Sequence, residues 1–165
     1  MKISIIGYSG AGKSTTARKL GEKLGIPVLH LDTVYHMPGW QVRPNEDSIA
    51  IVSKFMEEND SWIIDGNYSR TLEARLKSCD TVFMLDFPTD VCMQGVVERI
   101  GKKRKDMPWV DTELDQGLKL EIEKFPKETR PHIFELLEKY GDDKNVVVFK
   151  SRDEADAFLR NFKKG

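Results

Sequence analysis

The run Gly7-Tyr8-Ser9-Gly10-Ala11-Gly12-Lys13-Ser14 constrains this chain more than any other feature. It has the spacing G-x-x-x-x-G-K-[ST], and such a match arises by accident in well under about 1% of chains this long. An apolar β-branched run, Ile3 to Ile6, precedes it. Helical spacing follows from Ser14 to Leu24, with Ala17, Leu20 and Leu24 on one face. Glycines let such a strand-to-helix turn point its backbone N–H groups inward around a phosphate. The following helix adds its positive N-terminal end. The expected cradle is Gly7, Ser9, Gly10, Ala11, Gly12, Lys13, Ser14 and Thr15. Lys13 supplies a point charge for β and γ phosphates, and Ser14 offers a hydroxyl to Mg2+.

The rest of the chain alternates short apolar runs with amphipathic stretches. Strands are predicted at Ile3–Ile6, Val28–Leu31, Trp62–Ile64, Thr81–Phe87 and Asn145–Phe149. Helices are predicted at 14–24, 47–58, 72–76, 90–100 and 153–162, with a weaker one over 112–124 where Gly117 interrupts. Such alternation means a parallel sheet with crossover helices on both faces. The 165 residues suit one domain, and 39% apolar with 32% charged residues suits a globular one. Residues 101–126 are the least regular part and read as an excursion from the core. Cys79 and Cys92 are too few for a four-ligand zinc site and read as reduced thiols, although Cys92 could sit near a site.

Three aspartates follow apolar runs: Asp32, Asp65 and Asp86. In an open parallel sheet ligands bind beyond the carboxyl ends of the strands, where the phosphate loop also lies. Asp32 and Asp65 could converge there. One would hold Mg2+ through water while the other accepts a proton from an attacking hydroxyl. Gly66 allows close backbone approach and favours Asp65 for the metal. Asp86 reads as a turn or helix cap, because Pro88 and Asp90 begin a helix just after it.

Phosphoryl transfer needs cations beyond the loop lysine. Candidates are Arg70, Arg99, Arg104 and Arg130. Arg99 to Lys105 (RIGKKRK) holds five cations in seven residues. Three readings stay open for it: a solvated helix end, a nucleic-acid patch and a phosphate clamp on a lid. A net charge of −1 and a pI near 6.3 weaken the second. Tyr35, Trp40, Trp62 and Tyr68 could line an acceptor pocket or serve as core.

GYSGAGKST at 7–15, HLD at 30–32, DGNYSRT at 65–71 and ERIGKKR at 98–104 resemble the adenylate-kinase-like P-loop kinases. With WIIDGNY at 62–68 and DFP at 86–88, the chain more closely resembles the bacterial DNA topology modulation proteins. The resemblance implies a three-layer α/β/α P-loop NTPase fold with a five-stranded parallel sheet of order 2-3-1-4-5. It implies one kinase-like domain over 1–165, with an acceptor arm over 33–61 and a small helical lid over 101–126. Asp65 is then the Mg-linked carboxylate, Arg70 an acceptor-phosphate arginine, Arg99 and Arg104 lid-base arginines, and Arg130 the arginine of the helix returning from the lid. DGNYSRT has one residue more between Gly66 and Arg70 than the family segment. No arginine follows the second strand until Arg43. Both features depart from a nucleoside monophosphate acceptor. Asp32 instead resembles the aspartate with which small-metabolite kinases hold an acceptor hydroxyl.

The resulting expectation is an ATP- and Mg2+-dependent P-loop kinase in the cytoplasm, moving a γ-phosphoryl to a small-molecule hydroxyl, with no membrane contact. Lys13, Asp32, Asp65, Arg70, Arg99, Arg104 and Arg130 would act on the reacting groups, and Ser14 and Asp65 on the metal. The competing expectation is a nucleotide-dependent DNA topology modulation protein that binds nucleic acid. A nucleotide switch is disfavoured, because no guanine-reading N-K-x-D segment is present.

Overall fold

The structure is a computed structural model that describes residues 1–163. Lys164 and Gly165, the end of the expected domain, lie outside the described residues. Five parallel strands form one sheet: β1 (Lys2–Gly7), β2 (Val28–His30), β3 (Trp62–Asp65), β4 (Thr81–Leu85) and β5 (Asn145–Phe149). Their spatial order is β2-β3-β1-β4-β5, the expected one. Every residue of β3 and β4, and all of β1 after Lys2, is buried. Successive side chains point to opposite faces, so unbroken burial means that both faces are covered. The edge strands β2 and β5 are only half-buried over most of their length.

Among the described residues eight α-helices surround the sheet: α1 (Lys13–Leu24), α2 (Leu31–Tyr35), α3 (Asn45–Glu58), α4 (Ser69–Ser78), α5 (Thr89–Arg99), α6 (Gln116–Lys124), α7 (Thr129–Tyr140) and α8 (Arg152–Asn161). Two departures from the sequence expectation affect the site. Leu31 leaves the second strand and opens α2, so Asp32 sits in a helical first turn rather than at a strand end. His36–Met37 and Gln41–Val42 pair antiparallel in the arm, outside the main sheet. With two residues on each side of Pro38-Gly39, they are too short to leave a periodicity.

In the lid segment, α6 begins at Gln116 and not at Thr112, because Asp115 caps it by accepting from the Gly117 N–H at 3.2 Å. Ile122 and Phe125 are buried, and the Phe125 ring lies 3.9 Å from that of Tyr8. The lid helix therefore rests on the phosphate loop. No helix among the described residues is long and apolar enough to cross a membrane.

Candidate active site

The loop between β1 and α1 wraps closely against α5. Gly10 has φ 82°, and a Cβ there would meet the Cys92 carbonyl oxygen at 2.0 Å. A Cβ on Gly95 would in turn meet the Gly10 oxygen at 2.2 Å. Glycine at both positions is what lets helix and loop touch. Cys92 thus lies directly behind the loop. Its thiol, like that of Cys79, is raised to about 11 by burial, so neither offers a ready thiolate.

Lys13 folds over the loop and donates to the carbonyls of Gly7 at 3.0 Å and Tyr8 at 2.7 Å. Burial pushes its ammonium down from the ordinary value, and the nearby Asp32, Asp65 and Glu121 carboxylates offset part of that. Ser14 Oγ donates to Asp65 Oδ2 at 2.7 Å. The other oxygen, Asp65 Oδ1, meets His30 Nδ1 at 2.5 Å. Burial opposes charge on His30, but the hydrogen bond and the charge of Asp65 prevail and raise its pKa. His30 comes from β2, directly opposite Asp65 in the strand register.

The loop after Asp65 is clasped twice. Asn67 Oδ1 accepts from the Gly7 N–H at 3.0 Å, and its Nδ2 donates to the Gly7 carbonyl at 2.8 Å. Behind it the fully buried Arg75 guanidinium donates to the carbonyls of Gly66 at 2.9 Å and Asn67 at 2.6 Å. Burial lowers the Arg75 pKa to about 10, so it stays charged at neutral pH. On the other side of the loop, Arg152 Nη2 donates to the Gly10 carbonyl at 2.9 Å.

These groups open into one cleft of about 1380 Å3. A single small-molecule site holds about 300–1,000 Å3, so this cleft has room for two ligands. Lys13, Ser14, Asp32, Asp65, Arg99 and Arg104 all line it. Asp32 Oδ1 accepts from the Tyr68 hydroxyl at 2.6 Å. Burial, then the Asp32 charge, pushes that phenol's pKa up, so Tyr68 is a neutral donor. Its ring stacks on the buried Tyr35 with centroids 4.0 Å apart. Trp40, at the tip of the arm, meets Trp109 of the lid segment edge to face at 5.4 Å. Trp62 is core, with no exposed surface.

Arg99 and Arg104 point inward and share one partner. Arg99 Nε lies 3.0 Å from Asp111 Oδ2, and Arg104 Nη1 lies 3.4 Å from the same oxygen. Arg104 Nη2 also pairs with Asp106 at 3.1 Å. Lys102, Lys103 and Lys105 remain exposed along the cleft.

Three sequence expectations are not met by this geometry. Arg70 is exposed, does not line the cleft, and has no ion pair or side-chain hydrogen bond among the described residues. It sits in the first turn of α4. Arg130 is also outside the cleft lining and is committed to Asp86, its Nε and Nη2 donating at 2.9 Å. Asp86 is therefore no helix cap. α5 begins at Thr89 after Pro88, without a side-chain cap, and the buried Asp86 carboxylate also accepts from Lys150 at 2.5 Å. Sequence reasoning missed His30, Asn67, Arg75 and Arg152. Asn67, inside the DGNYSRT run, and His30, inside HLD, carried a signal.

The residues present fit a nucleotide and a divalent cation. The glycine turn that leads into the N-terminus of α1, the Lys13 ammonium and the Ser14–Asp65 pair are the parts a phosphate cradle requires. Among the described residues no group of three His, Cys, Asp or Glu side chains is arranged to hold a metal by itself. A cation held by Ser14 and Asp65 would complete its oxygen shell with phosphate and water.

No family model matches the chain. It is 28% identical over 187 residues to an adenylate kinase from Mycolicibacterium smegmatis, across 95% of this chain and 96% of that protein. A shikimate kinase from Acinetobacter baumannii, solved in complex with shikimate, aligns with a TM-score of 0.62 over 96% of this chain and 90% of the other. The chain is thus similar to one kinase in sequence and to another in fold. Identity to that kinase is only 18%, so this likeness is one of fold, and the site must be argued from its own residues.

Proposed function

We propose that this protein is an ATP-dependent phosphotransferase that moves the γ-phosphoryl group to a hydroxyl of a small molecule. One observation carries the reading. Within a single cleft, the Lys13–Ser14–Asp65 group faces Asp32, a carboxylate with one oxygen left free by Tyr68. The first group suits a triphosphate, and the second suits an attacking hydroxyl. The similarity to an adenylate kinase and the kinase fold support the same reaction type.

In this reading the loop N–H groups and Lys13 bind the β and γ phosphates. Ser14 and Asp65 hold Mg2+, which supplies neutralisation of charge on the phosphate oxygens. Asp32 orients the acceptor hydroxyl and accepts its proton. Arg99 and Arg104 stand where charge develops on the transferring group. The lid helix, resting on the loop through Phe125 and Glu121, excludes water. Arm, cleft and lid form one working unit of a single domain.

The test is transfer from radiolabelled ATP, with Mg2+, to a panel of nucleosides, nucleotides and small alcohols. Product forms with the wild type and is lost with Lys13→Ala. Wild type and Lys13→Ala behaving alike across the panel rejects the reading.

The three exposed lysines 102, 103 and 105 favour a second reading, nucleic-acid binding, in keeping with the resemblance to DNA topology modulation proteins. It predicts a DNA mobility shift at low salt that fades steeply as salt rises and is abolished by reversing these charges. Arg99 and Arg104, paired inside the cleft, would contribute little to it.

A further inference from the structure

We infer that the phosphoryl acceptor is an uncharged, ring-bearing hydroxyl compound of the nucleoside class, and neither a nucleotide nor a hydroxy acid. The inference rests on the phosphotransfer reading above and narrows it.

Charge supplies the first half. The cleft is lined by as many acidic as basic side chains. A Mg-bound triphosphate is itself a net anion, so once it binds, the cleft carries excess negative charge. An anionic acceptor would have to enter against that field and against Asp32. Specific recognition of a carboxylate or phosphate calls for an arginine fork. The cleft arginines already have partners: Arg18 pairs with Glu22 and Arg152 bonds the Gly10 carbonyl, while the exposed Lys102, Lys103 and Lys105 are point charges without a fork. Arg99 and Arg104 face the transferring phosphoryl group in the phosphotransfer reading, and they are already paired with Asp111, Arg104 also with Asp106. Arg43 turns its Nε to the Val34 carbonyl at 2.6 Å, and Arg70 lies outside the cleft.

The shape of the wall supplies the second half. From Asp32 outward the cleft surface is aromatic: Tyr68, then His36, then Trp40. The His36 ring stands edge-on to Tyr68 at 6.4 Å and to Trp40 at 5.3 Å. Tyr68 cannot swing away, because it is stacked on Tyr35 and bonded to Asp32. An aromatic wall of rings set edge to face and ending at a carboxylate accepts a flat ring against it and a hydroxyl at its end. A nucleoside has both, and no charge.

The step balances without a further reactant. The acceptor oxygen forms a bond to the γ phosphorus while the bond from that phosphorus to the bridging β–γ oxygen breaks. The bond's electron pair leaves with ADP. The hydroxyl proton passes to the free oxygen of Asp32 and on to water.

The experiment compares kcat/KM for Mg-ATP with four acceptor classes: nucleosides, their 5′-monophosphates, shikimate and glycerol. Nucleosides are expected to exceed each of the others at least about tenfold, since like charge and a missing ring each cost binding. A monophosphate, shikimate or glycerol used as well as a nucleoside overturns this inference and leaves the phosphotransfer reading standing. No transfer to any class, by a protein that binds ATP, overturns that reading itself. A second variant tests the charge balance directly. Asp111→Asn releases Arg99 and Arg104, and should lower the preference for a nucleoside over its monophosphate by about tenfold. An unchanged preference rejects the role given to those pairs.

Discussion

Asp65 and Asp86 lie at the ends of the two strands that flank β1, and both are buried, at 3% and 8% exposure. In the sequence they look alike, each closing an apolar run. Their partners differ in kind. Asp65 lines the cleft and bonds a serine hydroxyl that also lines it and a histidine behind it, groups that a cation can displace or compete with. Asp86 is held by Arg130 and Lys150, two permanent cations, outside the cleft lining. A buried carboxylate bonded by a hydroxyl and a titratable imidazole is kept ready for a positive ligand. One that already has two cations holds its own structure together.

Each prediction tests that contrast. Asp65→Asn should have the largest effect, lowering kcat by about 10²–10³-fold, the scale on which one preorganised electrostatic group acts. Its urea midpoint should stay close to wild type, because Asn can still bond Ser14 and His30. A variant with unchanged turnover would place Asp65 beside Asp86 as a structural group.

Arg75→Met should come next. It leaves the buried carbonyls of Gly66 and Asn67 without their donor and should cost about 2–3 kcal/mol of unfolding free energy. Turnover should fall as well, since that loop carries Asp65 and Asn67. Equilibrium denaturation and the phosphotransfer assay on the same variant measure both.

Asp86→Asn should be smaller and should act on stability, by about 1–2 kcal/mol at pH 7, with kcat little changed. Burial alone would raise the Asp86 pKa, but the hydrogen bonds and charges of Arg130 and Lys150 outweigh it and hold the carboxyl below its ordinary value. The sign follows from linkage. This stabilisation is fully present above the unfolded carboxyl's pKa of about 3.9 and is lost as pH falls through the lower folded value. The gap between wild type and variant should therefore close below about pH 4. A gap that persists in acid would mean that packing and not charge makes the contact.

Arg70→Ala should have the smallest effect, less than about threefold in kcat/KM, in keeping with an exposed residue away from such contacts. A loss near that of Asp65→Asn would bring Arg70 into the working site despite its exposed position.

Much of the phosphate half was legible from residues near one another in the chain. Gly7 to Ser14 form their loop from local turn and helix physics, so spacing alone identified it. The acceptor half was not. Asp32 was noted, but its placement depends on Leu31 leaving the strand and on a hydroxyl thirty-six residues away at Tyr68. Arg75 looked like any charged residue of an amphipathic helix. Only the packing of α4 buries it behind the Asp65 loop. The cluster from Arg99 to Lys105 read as one basic patch, yet Asp106 and Asp111 pair two of its members and leave three lysines exposed along the cleft.

What the sequence determined by itself is the parallel α/β order and the phosphate loop, because strand runs, helical spacing and a glycine turn are set by neighbours in the chain. What only the tertiary structure decided is which of several equivalent charges work in the cleft. A carboxylate or guanidinium takes its role from the partner that meets it on burial, and for Asp65, Asp86, Arg75 and Arg130 that partner comes from a separate strand, loop or helix.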